Sequence, residues 1–493
     1  MIKTDKSKYN LILNKNSTYY IEQSASNSFH LMLKAGKKLA NQIVINYKKR
    51  KTLIICGIGG NGGDGFILAQ ELLKKKWDTD VVIIGDKNLI KGDALKAFNQ
   101  LKIKPKKFED INLNKVDLFV DALFGIGLSR KINNKTIEIL KIIDKHKAPI
   151  VSVDIPSGID SNTGQILGYA PYCDLVITFS TLKYGHILVP GSEKYNKIKV
   201  ENIGIKKSII NSIKPKIYIN NPSLWFQSIQ WPKIDDHKYS RGYSLIVGGS
   251  RNMTGAGRLA AISAQRAGSG IVCVASEKEA EQIYFTTLIS QIVKSYKNIK
   301  QFDEIISDNR IDSFLIGPGL DINQYSITKI KSLFKTNKNI VLDAGAISNF
   351  KGKLNTLKKI IYGKNVVITP HEGELRSILP NLKGNCINKA LKAASELKCI
   401  VVLKGATTVI ASPDNKAIVN SAGAKWLATA GSGDVLAGII CGTLSNKMDS
   451  FSASAFSVWM HSEIGNYLGP GLIAEDIPEN INLIYKKLLK TAI

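Results

Sequence analysis

The chain has 493 residues, 44% hydrophobic and 8% aromatic, a soluble globular composition at a length beyond one ordinary core, so two enzyme-sized domains are expected. Its formal charge of +28 raises nucleic acid as a partner, but only eight of the 68 basic residues are Arg. The Lys is scattered among Asn and Ile, the pattern of a compositional bias, so nucleic-acid binding is not expected while attraction to small anions survives. The opening MIKTDKSKYNLILNKNSTYY lacks an apolar signal core, and no run approaches the roughly 18 apolar residues of a membrane span, which argues against export and membrane insertion. Cysteines at 56, 173, 273, 386, 399 and 441 form no C-x-x-C pair and stand beside no metal-spaced histidines. Neither zinc nor a disulfide framework is expected, and a reducing cytoplasmic setting is.

In chain order, residues 20–48 carry helical apolar spacing through LMLKAGKKLANQIVINY and predict a helix packed on the sheet that follows. From Thr52, short apolar runs alternate with amphipathic stretches: TLIICGIGG, GFILAQELLKKK, TDVVIIGD, VDLFVDALFG, APIVSVDIPSG. Buried parallel strands with crossover helices follow, a doubly wound α/β layer of Rossmann-like three-layer type. The loop GIGGNGGDG, residues 57–65, opens a helix where a phosphate or ribose can approach the backbone. Asp64 within it would repel a pyrophosphate and no Walker lysine follows, which disfavours an ordinary dinucleotide loop and a P-loop. VDALFGIG at 120–127 and VDIPSGIDSNTG at 153–164 each put an Asp at a strand's carboxyl end. Asn61, Asp121, Asp154 and Ser157 are thus offered to one ligand, and all-oxygen donors favour a hard cation over zinc. Helix capping by Asp and Ser is the plainer alternative.

The alternation ends near Ile205, and KPKIYINNPSLWFQSIQWPKIDDHK, without helical period, places a boundary at about residues 215–230. A first domain over 1–215 and a second over 225–493 are expected. The second series runs through YSLIVGGS, GIVCVAS, DSFLIGPGL, NIVLDAG, NVVITPHEGE and CIVVLKGATTVIAS, an open, mostly parallel sheet. The loops GGSRNMTGAGRLA, IGPGL, TPHEGE and KGATT each follow an apolar run, so they are expected at the same end of that sheet as GSGD, residues 431–434. His371 stands at a helix start, where capping is one role and ligand contact another, and Lys404 suits phosphate contact. Gly431, Ser432 and Gly433 offer successive N–H groups to a developing negative charge beside Asp434, which can deprotonate a hydroxyl.

These motifs carry two resemblances. The first domain, from about Glu22 to Ile205, resembles NAD(P)H-hydrate epimerase domains, whose signature is Gly-Asn-Asn-Gly-Gly-Asp-Gly, then Asp-Ala-Phe-Gly-Thr-Gly and Asp-Ile-Pro-Ser-Gly. The resemblance implies potassium on Asn61, Asp121 and Ser157. It implies the hydrated nicotinamide nucleotide on Gly60, Asn61, Gly62, Gly63, Asp64, Gly125, Ile126, Gly127, Leu128, Ser129, Arg130, Lys131 and Asp154, with Asp154 moving a proton. Gly60 replaces the first Asn of the family loop and Ile126 replaces Thr, and each loses a side-chain hydrogen-bonding group, which would weaken but not abolish epimerase activity.

GSGD alone resembles the ribokinase-like superfamily; with its ordered companion loops, residues 225–493 resemble the ADP-dependent NAD(P)H-hydrate dehydratases. That implies Ala256, Gly319, His371 and Asp434 on the hydrated nucleotide, and Lys404, Gly405, Ala406, Thr407, Thr408 and Gly433 on the adenine nucleotide. Ser432, where Thr is common, keeps the hydroxyl. The implied protein epimerises the R and S forms of hydrated NADH and NADPH (NADHX and NADPHX). It dehydrates the S form with ADP as phosphoryl donor and Mg2+, and a homo-oligomer is expected. A ribokinase-like small-molecule kinase with a regulatory first domain is the competing reading, and a nucleic-acid-binding scaffold the third.

Overall fold

The computed structural model describes residues 11–492 apart from 26, 214, 215, 422 and 424, and no side chains at 491 and 492. The chain divides into two compact units, Met1–Tyr218 and Ile219–Ile493. Residue 215, where the sequence closes the first domain, lies outside the described residues, as do residues 1–10 of the opening stretch.

In the first unit the apolar runs form the expected strands. They are β1 (Ile12–Leu13), β2 (Thr52–Cys56), β3 (Thr79–Ile83), β4 (Leu118–Ala122), β5 (Ile150–Val153), β6 (Cys173–Phe179), β7 (Leu182–Lys183) and β8 (Tyr195–Glu201). Six of them make a sheet in the order β3-β2-β4-β5-β6-β8, with every pairing parallel. β2 and β4 are buried along their whole length, as strands covered on both faces must be. The order reverses between β2 and β4, so the loops after these two strands flank a crevice at the topological switch point. The helix Ser28–Asn46 buries Leu31, Ala35, Leu39 and Ile43 against that core, as the spacing predicts, but the expected span 20–48 is broken, since a separate helix Lys15–Gln23 ends at Ser24. β1 pairs with β7 in a separate two-stranded sheet that sequence reading did not foresee.

The second unit holds β10 (Tyr243–Val247), β11 (Ile271–Glu277), β12 (Ile292–Tyr296), β13 (Ser313–Ile316), β14 (Asn339–Leu342), β15 (Val366–Ile368), β16 (Ile400–Leu403), β17 (Thr408–Ala411) and β18 (Lys416–Asn420). Its ten-stranded sheet runs β12-β11-β10-β13-β14-β15-β16-β17-β18-β9, where β9 is Lys216–Ile219. From β12 to β16 the pairings are parallel; β16, β17 and β18 are antiparallel. Two expectations are corrected. CIVVLKGATTVIAS is a hairpin, two strands joined at KGAT, because a four-residue turn closes an antiparallel pair but not a parallel crossover. The stretch read as a structureless boundary contains a strand, since KIYI has the β-branched and aromatic content to pair at the sheet's end.

Both units are α/β, as expected. Among the described residues no helix is long and apolar enough to cross a membrane. All six cysteines are unpaired, and five are buried. Burial pushes the thiols of Cys273 and Cys441 up to about 11 and that of Cys399 up to about 12.

Two candidate active centres

The first crevice is assembled from loop ends. A Cβ on Gly62 would fall 1.9 Å from Gly57 O, so only glycine lets the helix Gly60–Lys74 begin this close to β2. That start buries Asn61, whose amide Oδ1 lies 3.1 Å from where a Cβ on Gly125 would be. Asp121, wholly buried, accepts from Ser157 Oγ at 2.6 Å, Ser157 N at 2.8 Å and Leu123 N at 3.3 Å. The Ser157 hydroxyl in turn accepts from Phe124 N at 3.0 Å. Burial raises the Asp121 carboxyl, opposed by the hydrogen bonds from Ser157. Asn61 Nδ2 is buried without a hydrogen-bond partner. Of the flanking loop, Ile126 and Leu128 are buried, while Gly127, Ser129, Arg130 and Lys131 are exposed at its rim. Gly60 is exposed, and a Cβ there meets nothing within 4 Å.

Asp154 sits three residues before Ser157 in an unusual frame. Its φ is +64°, and Ile155 N–H donates back to Val153 O at 2.8 Å, a γ-turn of the strained positive-φ kind. The neighbouring strand repeats the device: Ser180 has φ +62°, and Thr181 N–H donates to Phe179 O at 2.7 Å. Left-handed backbone at a non-glycine residue costs about 1–3 kcal/mol. The two turns are tied together by Lys183. Its Nζ, fully buried, donates to Asp154 Oδ1 at 2.6 Å, Thr178 Oγ1 at 2.7 Å and Phe179 O at 3.1 Å. His186 Nδ1 accepts from Lys183 N at 3.0 Å, so its Nε2 carries the proton donated to Asp154 O at 2.8 Å. That imidazole is held neutral, at about 4, by burial and then by the Lys183 charge.

Burial pulls the Asp154 carboxyl up, but Lys183, His186 and Thr178 more than offset it and leave it below the usual carboxylate range. Asp64 and Glu22 go the other way. Burial, with the charges of Asp154 and Glu22, lifts Asp64 well above its ordinary value. Glu22 is pushed up to about 7, by burial above all, with Lys183 pulling down and Asp154 up.

In the second unit the candidate loops form one continuous rim. Ser250 N–H donates to Gly319 O at 3.2 Å, joining the loop that leads to Ala256 to the one after β13. Gly345 N–H donates to Gly317 O at 3.2 Å, bringing in the end of β14. Lys404 N–H donates to Pro370 O at 2.8 Å, which joins the ends of β15 and β16. Ala256 and Gly319 are half-buried, and His371 is exposed. His371 caps the helix Glu372–Ile378: its Nδ1 accepts from Gly373 N at 3.0 Å and Glu374 N at 3.3 Å, while Glu374 Oε2 accepts from His371 N at 2.8 Å. The imidazole is 60% exposed, with Nε2 3.6 Å from Glu374 Oε1, so capping and ligand contact are compatible in one residue.

Lys404, expected to contact phosphate, already holds an acidic partner. Its Nζ donates to Asp343 Oδ1 at 2.6 Å, an atom that also accepts from Thr369 Oγ1 at 2.7 Å. The ammonium still reaches the turn, 3.4 Å from where a Cβ on Gly433 would be. Gly405 and Ala406 are exposed, Thr407 is buried, and Thr408 Oγ1 donates to Gly405 O at 3.2 Å within the turn.

Gly431, at φ +86°, caps the helix Ser432–Ser445. The expected trio of open N–H groups at Gly431, Ser432 and Gly433 is corrected to a pair one residue further on, because Ser432 N–H is taken. Ser432 N–H turns to Thr429 O at 3.4 Å, and the helical ladder opens with Val435 N–H to Gly431 O at 3.0 Å. The N–H groups of Gly433 and Asp434 precede that first rung and are the ones a helix start presents to an anion. The Ser432 hydroxyl donates to Leu427 O at 2.8 Å, a structural duty. Asp434 is pushed up to about 6, by burial first, then by Asp343, with Lys404 opposing and Glu374 adding. Three carboxylates thus crowd one ammonium.

Asp343, Thr369, Lys183, Thr178, His186 and Glu22 were not singled out from the sequence. Asp343 had a signal, since NIVLDAG ends a strand in Asp just as VDALFG and VDIPSG do. Two sheets, each with a lysine–carboxylate contact at 2.6 Å among the loops at the strands' carboxyl ends, define a two-centre α/β enzyme.

Comparison with known proteins agrees with that architecture. Residues 28–185 match the family model described as YjeF-related protein N-terminus, and residues 244–475 match that of NAD(P)H-hydrate dehydratase. The bifunctional NAD(P)H-hydrate repair enzyme Nnr of Dictyoglomus turgidum is 33% identical over 441 residues, 85% of this chain and 84% of that protein. The enzyme of the same name from Moorella thermoacetica is 30% identical over 474 residues, 89% and 88% of the two. The chain belongs to the family of bifunctional NAD(P)H-hydrate repair enzymes. Among solved structures, an ADP/ATP-dependent NAD(P)H-hydrate dehydratase from Bacillus subtilis, co-crystallised with ATP and Mg2+, shares 24% identity. It aligns with a TM-score of 0.48, over 55% of this chain and 98% of that one.

Proposed function

We propose that the first unit interconverts the R and S forms of hydrated NADH and NADPH, and that the second dehydrates the S form using ADP. The observation that carries the second half is Asp434. It is a carboxyl raised by burial to about 6, at a helix start whose open N–H groups stand beside Lys404.

Asp434 takes the proton of the ring hydroxyl as that oxygen acquires a phosphoryl group. The N–H groups of Gly433 and Asp434 and the ammonium of Lys404 meet the charge on the phosphoryl oxygens. Phosphate is then a leaving group where hydroxide was not, and its loss with a ring proton restores the reduced nicotinamide. Asp343 and Thr369 hold Lys404 in place. The hydrated nucleotide would lie along Ala256, Gly319 and His371, and the adenine nucleotide along residues 404–408 and Gly433. Three carboxylates around one Lys404 leave negative charge for a divalent cation to neutralise, which fits Mg2+. Glu374 would hold it together with the nucleotide's phosphates, and the metal would supply charge neutralisation.

In the first unit, Asp154 is the base, since Lys183 keeps it ionised. The nucleotide would lie along residues 60–64 and 125–131. Asp121, Ser157 and Asn61 are an all-oxygen set around a buried carboxylate, and the unpartnered amide atom of Asn61 is swapped for oxygen by a simple flip, which fits potassium. That ion would supply the countercharge Asp121 lacks. A cytoplasmic homo-oligomer remains our expectation.

One assay tests both halves. Mixed epimers of hydrated NADH are supplied with ADP and Mg2+, and absorbance at the reduced-nicotinamide band is followed. Full recovery, faster than with a chain carrying Asp154→Asn, is expected. No recovery with folded protein overturns the dehydratase reading, and a stable phosphorylated product in its place identifies a small-molecule kinase.

A further inference from the structure

Ahead of residues 28–185, the part matched by the first family model, the chain places a helix over the first crevice. β1 pairs in parallel with β7, Leu13 opposite Lys183, and delivers the helix Lys15–Gln23 directly to the clamp around Asp154. Lys15 N–H donates to Asn162 Oδ1 at 2.7 Å, and its Nζ donates to Gly127 O at 3.1 Å, which fixes the helix against two crevice loops. Tyr19 and Glu22, one turn apart, share the face so presented. The Tyr19 hydroxyl lies 3.4 Å from where a Cβ on Gly127 would be. Glu22, half-buried, is close enough to Lys183 and Asp154 to feel both charges.

On the isomerase reading of this unit, we propose that Glu22 is its proton donor and that Lys183 is the positioning residue that holds Asp154 as the complementary base.

The reaction requires such a couple. Adding water to the dihydronicotinamide double bond beside the ring nitrogen leaves hydroxyl and nitrogen on one carbon. Asp154 takes the hydroxyl proton, and the carbon–nitrogen bond breaks to give an aldehyde. The bond's electron pair stays on the nitrogen, which takes the proton of Glu22. Rotation about the adjoining carbon–carbon bond presents the aldehyde's other face. The nitrogen adds back there, its proton returns to Glu22, and the oxygen recovers the proton held by Asp154. Nothing is gained or lost.

The groups facing Glu22 agree with this division. From its own helix comes Tyr19, from the helix Gly60–Lys74 Asp64, from the end of β5 Asp154, and from β7 Lys183. Asp64, lifted well above its ordinary value by burial first, is no rival base. Among the described residues, the carboxyl in direct contact with Lys183 is that of Asp154, the one held below the usual carboxylate range. Two carboxyls whose surroundings drive them apart are the mark of an acid and base pair.

The test uses the full chain and chromatographically separated epimers, without ADP, following approach to equilibrium from either side across pH. Glu22→Gln is expected to slow interconversion by about a hundredfold or more and to remove the fall in rate above pH about 7. Glu22→Asp restores part of the rate together with that fall. Lys183→Met is expected to move the acid-side limb of the profile to higher pH, and Lys183→Arg to leave it in place. Urea melts of each variant show that the unit is folded.

Interconversion by folded Glu22→Gln within about threefold of the wild-type rate overturns the donor role. So does loss of the alkaline limb in Asp64→Asn instead. A uniform slowing in Lys183→Met with the acid limb unmoved overturns the positioning role. If the unmodified chain fails to exceed the spontaneous rate, the isomerase reading itself falls, before any variant is compared.

Discussion

Lys404 and Asp343 meet at 2.6 Å across the intervening strand β15, whose Thr369 donates to the same carboxylate oxygen. The pair locks three strand ends beneath the turn that carries Asp434, so the lysine is aimed before any nucleotide arrives.

Asp343→Asn is accordingly expected to act on both stability and catalysis. Removing one partner of a mostly buried pair costs about 3 kcal/mol, and a loosened Lys404 raises the KM for ADP by at least about tenfold. Urea unfolding and steady-state kinetics measure the two. An unchanged KM would show that Lys404 is placed by something other than Asp343.

Asp434, raised to about 6, also fixes a pH dependence. A carboxyl whose folded pKa exceeds its unfolded value of about 3.9 favours folding most below that value. The contribution is lost as pH rises through about 6, where the folded group must ionise. Asp434→Asn should therefore be more stable than the parent near neutrality, with the gap closing below pH about 4, and should lose dehydration. In the parent, the dehydration rate should rise with pH through about 6 and level off. Denaturant midpoints at the two pH values, with rates alongside, decide it.

The two departures from the epimerase signature are physically unlike. A Cβ on Gly60 meets nothing within 4 Å, so Gly60→Asn is expected to shift stability by no more than about 0.5 kcal/mol while raising the interconversion rate. Ile126 is 8% exposed, and Ile126→Thr puts a hydroxyl among apolar neighbours, at about 1–3 kcal/mol. Thermal melts of the two single variants distinguish these cases; equal losses would contradict the packing described.

Asp121 and Ser157 make potassium testable without any activity measurement. The melting temperature of the full chain is expected to rise in potassium chloride relative to tetramethylammonium chloride at equal ionic strength. Ser157→Ala should erase that difference and, by stripping two hydrogen bonds from a buried carboxylate's surroundings, lower stability by about 2 kcal/mol. Identical melts in both salts would exclude the site.

Much of this was legible in sequence, and for a local reason. Glycine-rich turns and strand-end acids lie next to the apolar runs that place them, so Asp121, Asp154, Asp434 and their loops could be assigned to crevices from short windows. Lys183 could not, because in TFSTLKYGH it is one more lysine in a lysine-rich chain. Its meaning arises only when β7 carries it under β5 and β6. Glu22 is hidden likewise, since the β1–β7 pairing that brings its helix over the crevice joins segments about 170 residues apart. β9 went unseen because Asn and Pro around KIYI mimic a linker.

The buried thiols bear on how such a protein survives. Thiolate is the form that oxidants and electrophiles attack, and burial holds Cys273, Cys399 and Cys441 protonated up to about 11 or 12. The Cys386 thiol is also pushed up to about 11 by burial, but Cys386 alone is partly open, and iodoacetamide is expected to label it first. A molecule that mends a damaged redox carrier thus keeps five of its own six thiols buried, away from the electrophiles and oxidants that thiolates meet.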